Sequence, residues 1–376
     1  MRITELFTRD MNPNWEVFEK AFPEMASCHH SNRWHKCGSP LNHTKLVVDE
    51  MLKRLNESKN SEHYLILVAS AMLHDVGKLK TTYWNEKEND WCCKSHGEEG
   101  AKMIRDMFQE EDIIRREKVI YMVRYHMLLH YTQRSQKSRQ ERDLNILSNG
   151  LVPFEDMLLL NECDMCGSIN EENTEENISK HIDELWKIYD EYKSTHKNKW
   201  GYVNELTPKM YVMIGVPGSG KSTVAKETLS HKGMFVLPII SRDKERIKMG
   251  LCGNNEKCVG NTKEEDLITK IVDEQIKDWL GHDTSFIIDN TSLKKRYREV
   301  YTKYAKEYYF EPIFVYVEAP SLNDNFLRRK GVIDKNVIQN MWNNMEFPTK
   351  DECSKLIVIK QHNNGEGDSY PIMREF

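Results

Sequence analysis

The stretch Gly215-Val216-Pro217-Gly218-Ser219-Gly220-Lys221-Ser222-Thr223 has the residue types and spacing to hold a polyphosphate. It follows an apolar run, Met210 to Ile214, and opens into a helix-compatible segment at Ser222. In that strand–loop–helix setting the glycines turn backbone N–H groups inward around phosphates, and the following helix N-terminus adds partial positive charge. Lys221 is placed to reach the β- and γ-phosphates of ATP or another NTP, and Ser222 to ligate the accompanying magnesium. A Gly-rich turn that matches by chance would need neither the strand before it nor the helix after it.

A second constellation sits at Leu73-His74-Asp75-Val76-Gly77-Lys78, where an apolar helical stretch ends on an adjacent imidazole and carboxylate. Neighbours on a helix face different ways, but at a helix end both can turn toward one ion. His43 precedes this pair, and His96, His126 and Asp164 follow it on separate helical segments. Imidazoles with carboxylates, and no thiolate, suit a divalent transition metal such as manganese, nickel, cobalt or iron better than a structural zinc site. Each histidine alone is an ordinary surface or core residue, and the ordered set carries the signal. His130 lies one helical turn beyond His126 and could substitute for it.

The elements that must position these residues fall into two kinds. Up to about residue 200 the apolar periodicity is helical: 43–55, 63–73, 96–108, 113–130, 154–167 and 178–192. Beyond it, strands at 209–214, 235–240, 285–289, 312–317 and 355–359 alternate with helices at 222–229, 243–249, 263–280, 294–307 and 335–345. That alternation implies a parallel sheet wrapped by helices, with the stripe Leu267, Ile268, Ile271, Val272 and Ile276 packed on it. The chain is therefore read as multidomain. An all-α bundle covers 1–198 and an α/β P-loop phosphotransferase with a parallel sheet covers 199–376, joined within the polar stretch near 195–208.

The 376 residues carry a net charge of −5, which points to neither a nucleic-acid coat nor a membrane surface. A basic tract, Arg115 to Arg142, reads as a solvated face or a local phosphate track. Nine cysteines without paired zinc-finger spacing fit a reducing compartment. Tyr64 to Leu73, the longest apolar run, falls short of the roughly 20 residues of a membrane span. The expectation is a cytoplasmic protein with no membrane partner.

In open α/β sheets ligands bind beyond the carboxyl ends of the strands. Three such ends carry Ser241-Arg242-Asp243-Lys244-Glu245-Arg246, Asp289-Asn290-Thr291 and Arg328-Arg329-Lys330. Phosphoryl transfer needs a base for the acceptor and a cation for the charge that spreads. Asp243 and the Arg328–Lys330 cluster could supply them. Asp243 could also be only a helix N-cap.

The order His43, His74-Asp75, Asp164 resembles the HD phosphohydrolase superfamily. The resemblance implies that these four hold the principal metal. It further implies that His96 and His126 add ligands or phosphate contacts, as in phosphodiesterase members, and that Lys78 neutralises phosphate. Trp34-His35 with Asn42-His43-Thr44 is similar to a pattern of some members and adds His35, although Lys36 to Pro40 departs from its acidic version. The segment around Asp243 resembles the 5′-hydroxyl polynucleotide kinases of phage and bacterial RNA repair. That resemblance makes Asp243 the base for the 5′-OH and Arg246 the holder of the adjoining phosphate. It makes Arg328 or Arg329 a lid on the donor phosphates and matches Asp289 to an acidic element.

The two halves in this order resemble a bifunctional RNA end-healing enzyme. It would phosphorylate 5′-OH ends and remove 2′,3′-cyclic and 2′- or 3′-phosphates from RNA (or DNA) ends, before a separate RNA ligase acts. Two rivals remain. One is a small-molecule or nucleoside kinase joined to an HD nucleotidase. The other is a non-catalytic, ATP-gated RNA-binding sensor.

Overall fold

The computed structural model describes residues 1–31, 33, 36–196, 200–230, 236–251, 261–363 and 369–375, so His35 lies outside the described residues. The chain divides into two compact units, Met1–Lys197 and Asn198–Phe376.

The first unit is helical. Its principal helices are α1 (Pro40–Arg54), α2 (Glu62–Leu73), α3 (His96–Met107), α4 (Ile113–Tyr125), α5 (Leu128–Thr132), α6 (Lys137–Ser148), α7 (Phe154–Gly167) and α8 (Glu175–Thr195). Every residue of α2 from Tyr64 to Leu73 is buried. An all-round apolar helix can only be central, and α2 packs against α1, α4 and α7. Ser61 starts it by accepting the Tyr64 N–H. A single apolar core runs from Ile3 to Tyr192.

The helix expected over 113–130 is two. α4 stops at Tyr125, His126 occupies its cap position, and α5 restarts at Leu128. No glycine or proline marks the break. The His126 ring takes the Val123 carbonyl at 2.7 Å, supplying one of the bonds the ending helix lacks. Helix α6 and a hairpin of β1 (Tyr83–Asn85) with β2 (Asp90–Cys92) were also not legible. Strands this short show no alternation. An isolated hairpin is marginal by itself, and here Trp84 packs edge-on to its cross-strand partner Trp91 while His29 stacks on Trp91 at 4.2 Å.

The second unit is a sheet in the order β4-β5-β3-β6-β7-β8. Its strands are β3 (Lys209–Ile214), β4 (Ile239–Ile240), β5 (Phe286–Ile288), β6 (Glu311–Glu318), β7 (Lys355–Asn363) and β8 (Ser369–Glu375). The first five in space are parallel, and β8 closes the edge antiparallel to β7. Five residues of β3, from Met210 on, are buried, as a central strand covered on both faces must be. Of the strand expected over 235–240, Phe235 lies outside the described residues, and among the rest the strand is Ile239–Ile240. Pro238 offers the ladder only its carbonyl, to Ile287, and Val236 is exposed.

The helices of this unit include α9 (Arg242–Lys248), α10 (Thr262–Gly281), α11 (Lys295–Glu307), α12 (Leu322–Arg328) and α13 (Lys335–Asn343). In the α10 stripe Ile268, Val272 and Ile276 are buried, whereas Leu267 is exposed. Among the described residues no helix is long and apolar enough to cross a membrane.

Candidate active sites

In the helical unit six side chains from five elements converge. His43 comes from α1, His74 and Asp75 from the end of α2, His96 from the first residue of α3, His126 from the end of α4 and Asp164 from α7. All six are buried. His74 and Asp75 turn the same way because the helix stops at Leu73, and the His74 Nε2 lies 3.3 Å from Asp75 Oδ2.

Ring orientation is set locally. His74, His96 and His126 each donate Nδ1–H to the carbonyl three residues earlier (Ala71, Cys93 and Val123) at 2.7–2.8 Å, and His43 Nδ1 reaches the Gly167 carbonyl at 3.3 Å. With Nδ1 turned to a carbonyl, each ring aims its Nε2 inward. Burial, with His96 and His74 beside it, pushes His126 down to about 3, and burial also lowers His96, so both rings are neutral.

The result is two trios, His43–His74–Asp164 and Asp75–His96–His126, each with its ligand atoms close enough to share one cation. The Nε2 atoms of His43 and His74 stand 3.2 Å apart, and those of His96 and His126 stand 3.0 Å apart. Lone pairs facing one another at that distance repel unless something electropositive lies between them. Two ligands at right angles around a divalent metal stand about 3 Å apart, given bonds of about 2.1 Å. The donor set therefore fits two metal ions. Asp75 joins the trios, with Oδ2 3.6 Å from His43 Nε2 and Oδ1 3.3 Å from His96 Nε2.

Burial by itself would raise the Asp75 carboxyl, but Lys78 and His74 outweigh it and hold Asp75 well below the usual carboxylate range. Lys78 is itself buried and its Nζ sits 2.6 Å from Asp75 Oδ2. His130 does not replace His126: it donates to Asp164 Oδ2 at 2.9 Å, on the other trio, and keeps part of its ring exposed. Sequence reasoning missed His30, which is buried within electrostatic reach of Lys78, His43 and Asp75. It lies in a segment with no periodicity, so only the fold reveals it.

The close approach of α3 depends on Gly77. A Cβ there would stand 1.9 Å from the His96 carbonyl oxygen. The basic tract does not form one track. Arg115 pairs with Glu62 and Glu111, buried Arg116 with Glu117, Arg124 with Glu98, and Arg139 and Arg142 with Asp143.

In the sheet unit the loop after β3 carries the second site. Gly220 is left-handed (φ 93°) and a Cβ on it would meet the Gln361 side chain at 2.0 Å, so only glycine serves. Lys221 is buried and donates to the Val216 carbonyl at 3.1 Å; burial pushes it down to about 8. The Ser219 hydroxyl oxygen is buried with no hydrogen-bond partner among the described residues. Ser222 Oγ donates to Asp289 Oδ2 at 2.6 Å, which joins the loop to the end of β5 as a magnesium site requires. The helix behind the loop begins at Lys221, and the Ser230 N–H reaches back five residues to the Ala225 carbonyl.

Asp243 is not the N-cap of α9. Ser241 holds that position, and Asp243 is exposed in the first turn, where Arg246 Nη1 donates to its Oδ1 at 2.5 Å. From the other side α12 brings both lid candidates to the loop. Arg328 donates to the Gly218 carbonyl and to Gln361, and Arg329 lies near enough to Gly218 to crowd a Cβ there and to lower Lys221. Asn325 locks α12 to the loop through the Pro217 carbonyl at 2.9 Å.

Comparison with known proteins finds one family match within each unit. Residues 41–152 match the family described as HD domain, and residues 210–330 match the family described as AAA domain. No curated protein matches the chain. One similar solved structure is described as "a putative kinase" from Chloroflexus aurantiacus; it is 17% identical and covers 43% of this chain and 92% of its own, with a TM-score of 0.32. The chain joins an N-terminal helical HD phosphohydrolase domain to a C-terminal P-loop kinase-like domain built on a five-strand parallel sheet.

Proposed function

We propose that the chain heals RNA ends. The kinase-like domain transfers the γ-phosphate of ATP to a 5′-OH polynucleotide end. The HD domain removes 2′,3′-cyclic and 2′- or 3′-phosphates, leaving ends for a separate ligase. The observation that carries this reading is the Asp243–Arg246 pair at the carboxyl end of β4, in the same unit as the phosphate loop. A carboxylate beside a fixed guanidinium suits an acceptor that carries both a hydroxyl to deprotonate and a phosphate to hold.

In the kinase step Asp243 takes the 5′-OH proton as the oxygen attacks the γ-phosphorus, and the bond to the β,γ-bridging oxygen breaks. Lys221, the loop N–H groups and Arg328 or Arg329 would hold the donor phosphates, and Ser222 and Asp289 would hold a magnesium ion. In the HD domain, His43, His74 and Asp164 would hold one divalent metal, and Asp75, His96 and His126 a second. Bound metals supply Lewis acidity and a water of lowered pKa. Lys78 holds Asp75 in its charged form, and His130 orients Asp164 through its 2.9 Å hydrogen bond.

The test is a short RNA with a 5′-OH and a 2′,3′-cyclic phosphate, incubated with ATP and magnesium and, in parallel, manganese, nickel or cobalt, with both ends read by mass. Gain of a 5′-phosphate with loss of the 3′ phosphate is the expected result. A change at the 5′ end alone would assign the HD half another substrate. No change at either end would refute the polynucleotide reading.

A further inference from the structure

Glu265, in the first turn of α10, lies far along the chain from every motif that suggests chemistry, yet its carboxylate faces the acceptor helix α9. It accepts from Arg246 twice, Nε to Oε1 and Nη2 to Oε2, both at 2.8 Å, and from Arg242 Nη2 at 2.8 Å. Arg242 is held further by Thr269 Oγ1 at 2.8 Å, and its backbone N–H donates to Asn290 Oδ1 at 3.2 Å. The side chains of Arg246 and Glu265 are only 17% and 23% exposed, against 64% for Asp243.

We propose that Glu265 is the positioning residue of the acceptor site, holding the Nε–Nη2 edge of Arg246 so that its Nη1 edge and Asp243 are presented together. This rests on the function proposed above. A guanidinium is a planar fork, and fixing one edge bidentately fixes the direction of the other. With that edge held by Glu265, Nη1 is the nitrogen that reaches Asp243. Asp243 sits on a helix of seven residues, Arg242–Lys248, which is short enough to need an outside anchor. Glu265 supplies that anchor at both Arg242 and Arg246. Arg242 and Arg246, which it holds, both lie on α9, so its effect should fall on the acceptor side.

The experiment uses the full chain, ATP and a 5′-OH RNA oligonucleotide, comparing wild type with Glu265→Gln. Glutamine keeps the shape but replaces one acceptor oxygen with a donor that faces a guanidinium. The expected result is a fall in kcat/KM for the oligonucleotide of roughly 10- to 100-fold, as for a misplaced catalytic group. KM for ATP and acceptor-independent ATP hydrolysis should stay unchanged. In an Arg246→Ala background the same change should cost far less than it does alone, because only the tie to Arg242 remains.

Unchanged oligonucleotide kinetics in Glu265→Gln would overturn the inference while leaving the function intact. So would ATP and oligonucleotide KM rising together, or an additive loss in the double variant, since those mark a general structural tie between α9 and α10. If the wild type phosphorylates no polynucleotide end, the functional reading itself fails and this inference falls with it.

Discussion

Lys221 shows how a residue's surroundings set its behaviour. Burial beneath the loop lowers it from its ordinary 10.5 to about 8. The unfolded chain therefore holds this proton up to about 10.5 while the folded chain releases it above about 8, so the cost of the buried charge is present below 8 and fades as pH rises through 10.5. A triphosphate in the loop restores the charged form. ATP binding near pH 9 should then take up a substantial fraction of a proton, falling toward zero near pH 7; titration calorimetry in buffers of different ionisation enthalpy reads this directly. Equal heats in all buffers near pH 9 would contradict it. At the acceptor, Asp243→Asn should leave ATP affinity unchanged and lower 5′ phosphorylation by roughly 100-fold or more, the scale of a general base; a rapid-quench assay with labelled ATP decides it. Residues of this kind were legible because their partners adjoin them in sequence: Asp243 with Arg246, His74 with Asp75, Lys221 with Ser222. Glu265, Gln361 and His30 were not, because each meets its site through the fold, from α10, β7 or an irregular segment.

Elements bring distant residues together only where they can approach. Gly77 lets α3 start against the turn after α2, with the His96 carbonyl where a Cβ would be. The obstacle is backbone, which cannot swing aside. Gly77→Ala should cost about 1–3 kcal/mol of stability, as overpacking does. It should also move His96 away from Asp75, so the metal content of the purified protein, read by elemental mass spectrometry, should drop by about half. Unchanged stability and metal content would show that α3 adjusts freely. In the sheet unit Arg298 is fully buried, forked onto Glu352 at 2.7 and 3.0 Å and bonded to the Ser292 and Glu346 carbonyls, which ties α11 to the segment before β7. Arg298→Met leaves Glu352 as an unpaired buried charge and should cost about 3–5 kcal/mol, measured by urea unfolding. Long periodic elements such as α2, α10 and β3 were plain in the sequence. The break at His126 was not, because a side-chain ring ends that helix; nor was the shortening of β4, where one proline outweighs an apolar run.

At the scale of the whole chain, each unit holds its own chemistry. The helical unit closes around one apolar core, and the sheet unit packs another, from Tyr211 to Ile359, on its strands. Every candidate metal ligand but Ser222 and Asp289 belongs to the first unit, and every nucleotide and acceptor residue to the second. Two chemistries with no shared side chain should fail separately. Asp75 stands between the two trios and partners Lys78, so Asp75→Ala removes a carboxylate that faces both and strands a buried ammonium. His74→Ala removes one ligand of one trio and leaves Lys78 paired. Both variants should lose 3′-end processing, and 5′ phosphorylation by the same preparations should stay within about twofold of wild type, since independent sites do not couple. A chelator should reproduce the 3′ defect and lower the melting of the helical unit alone, because ions bound only by the folded form stabilise it by mass action. Loss of 5′ phosphorylation in a folded Asp75→Ala protein assayed with ample magnesium would mean that the HD centre supports the kinase, and the two-site reading would have to give way to a coupled one.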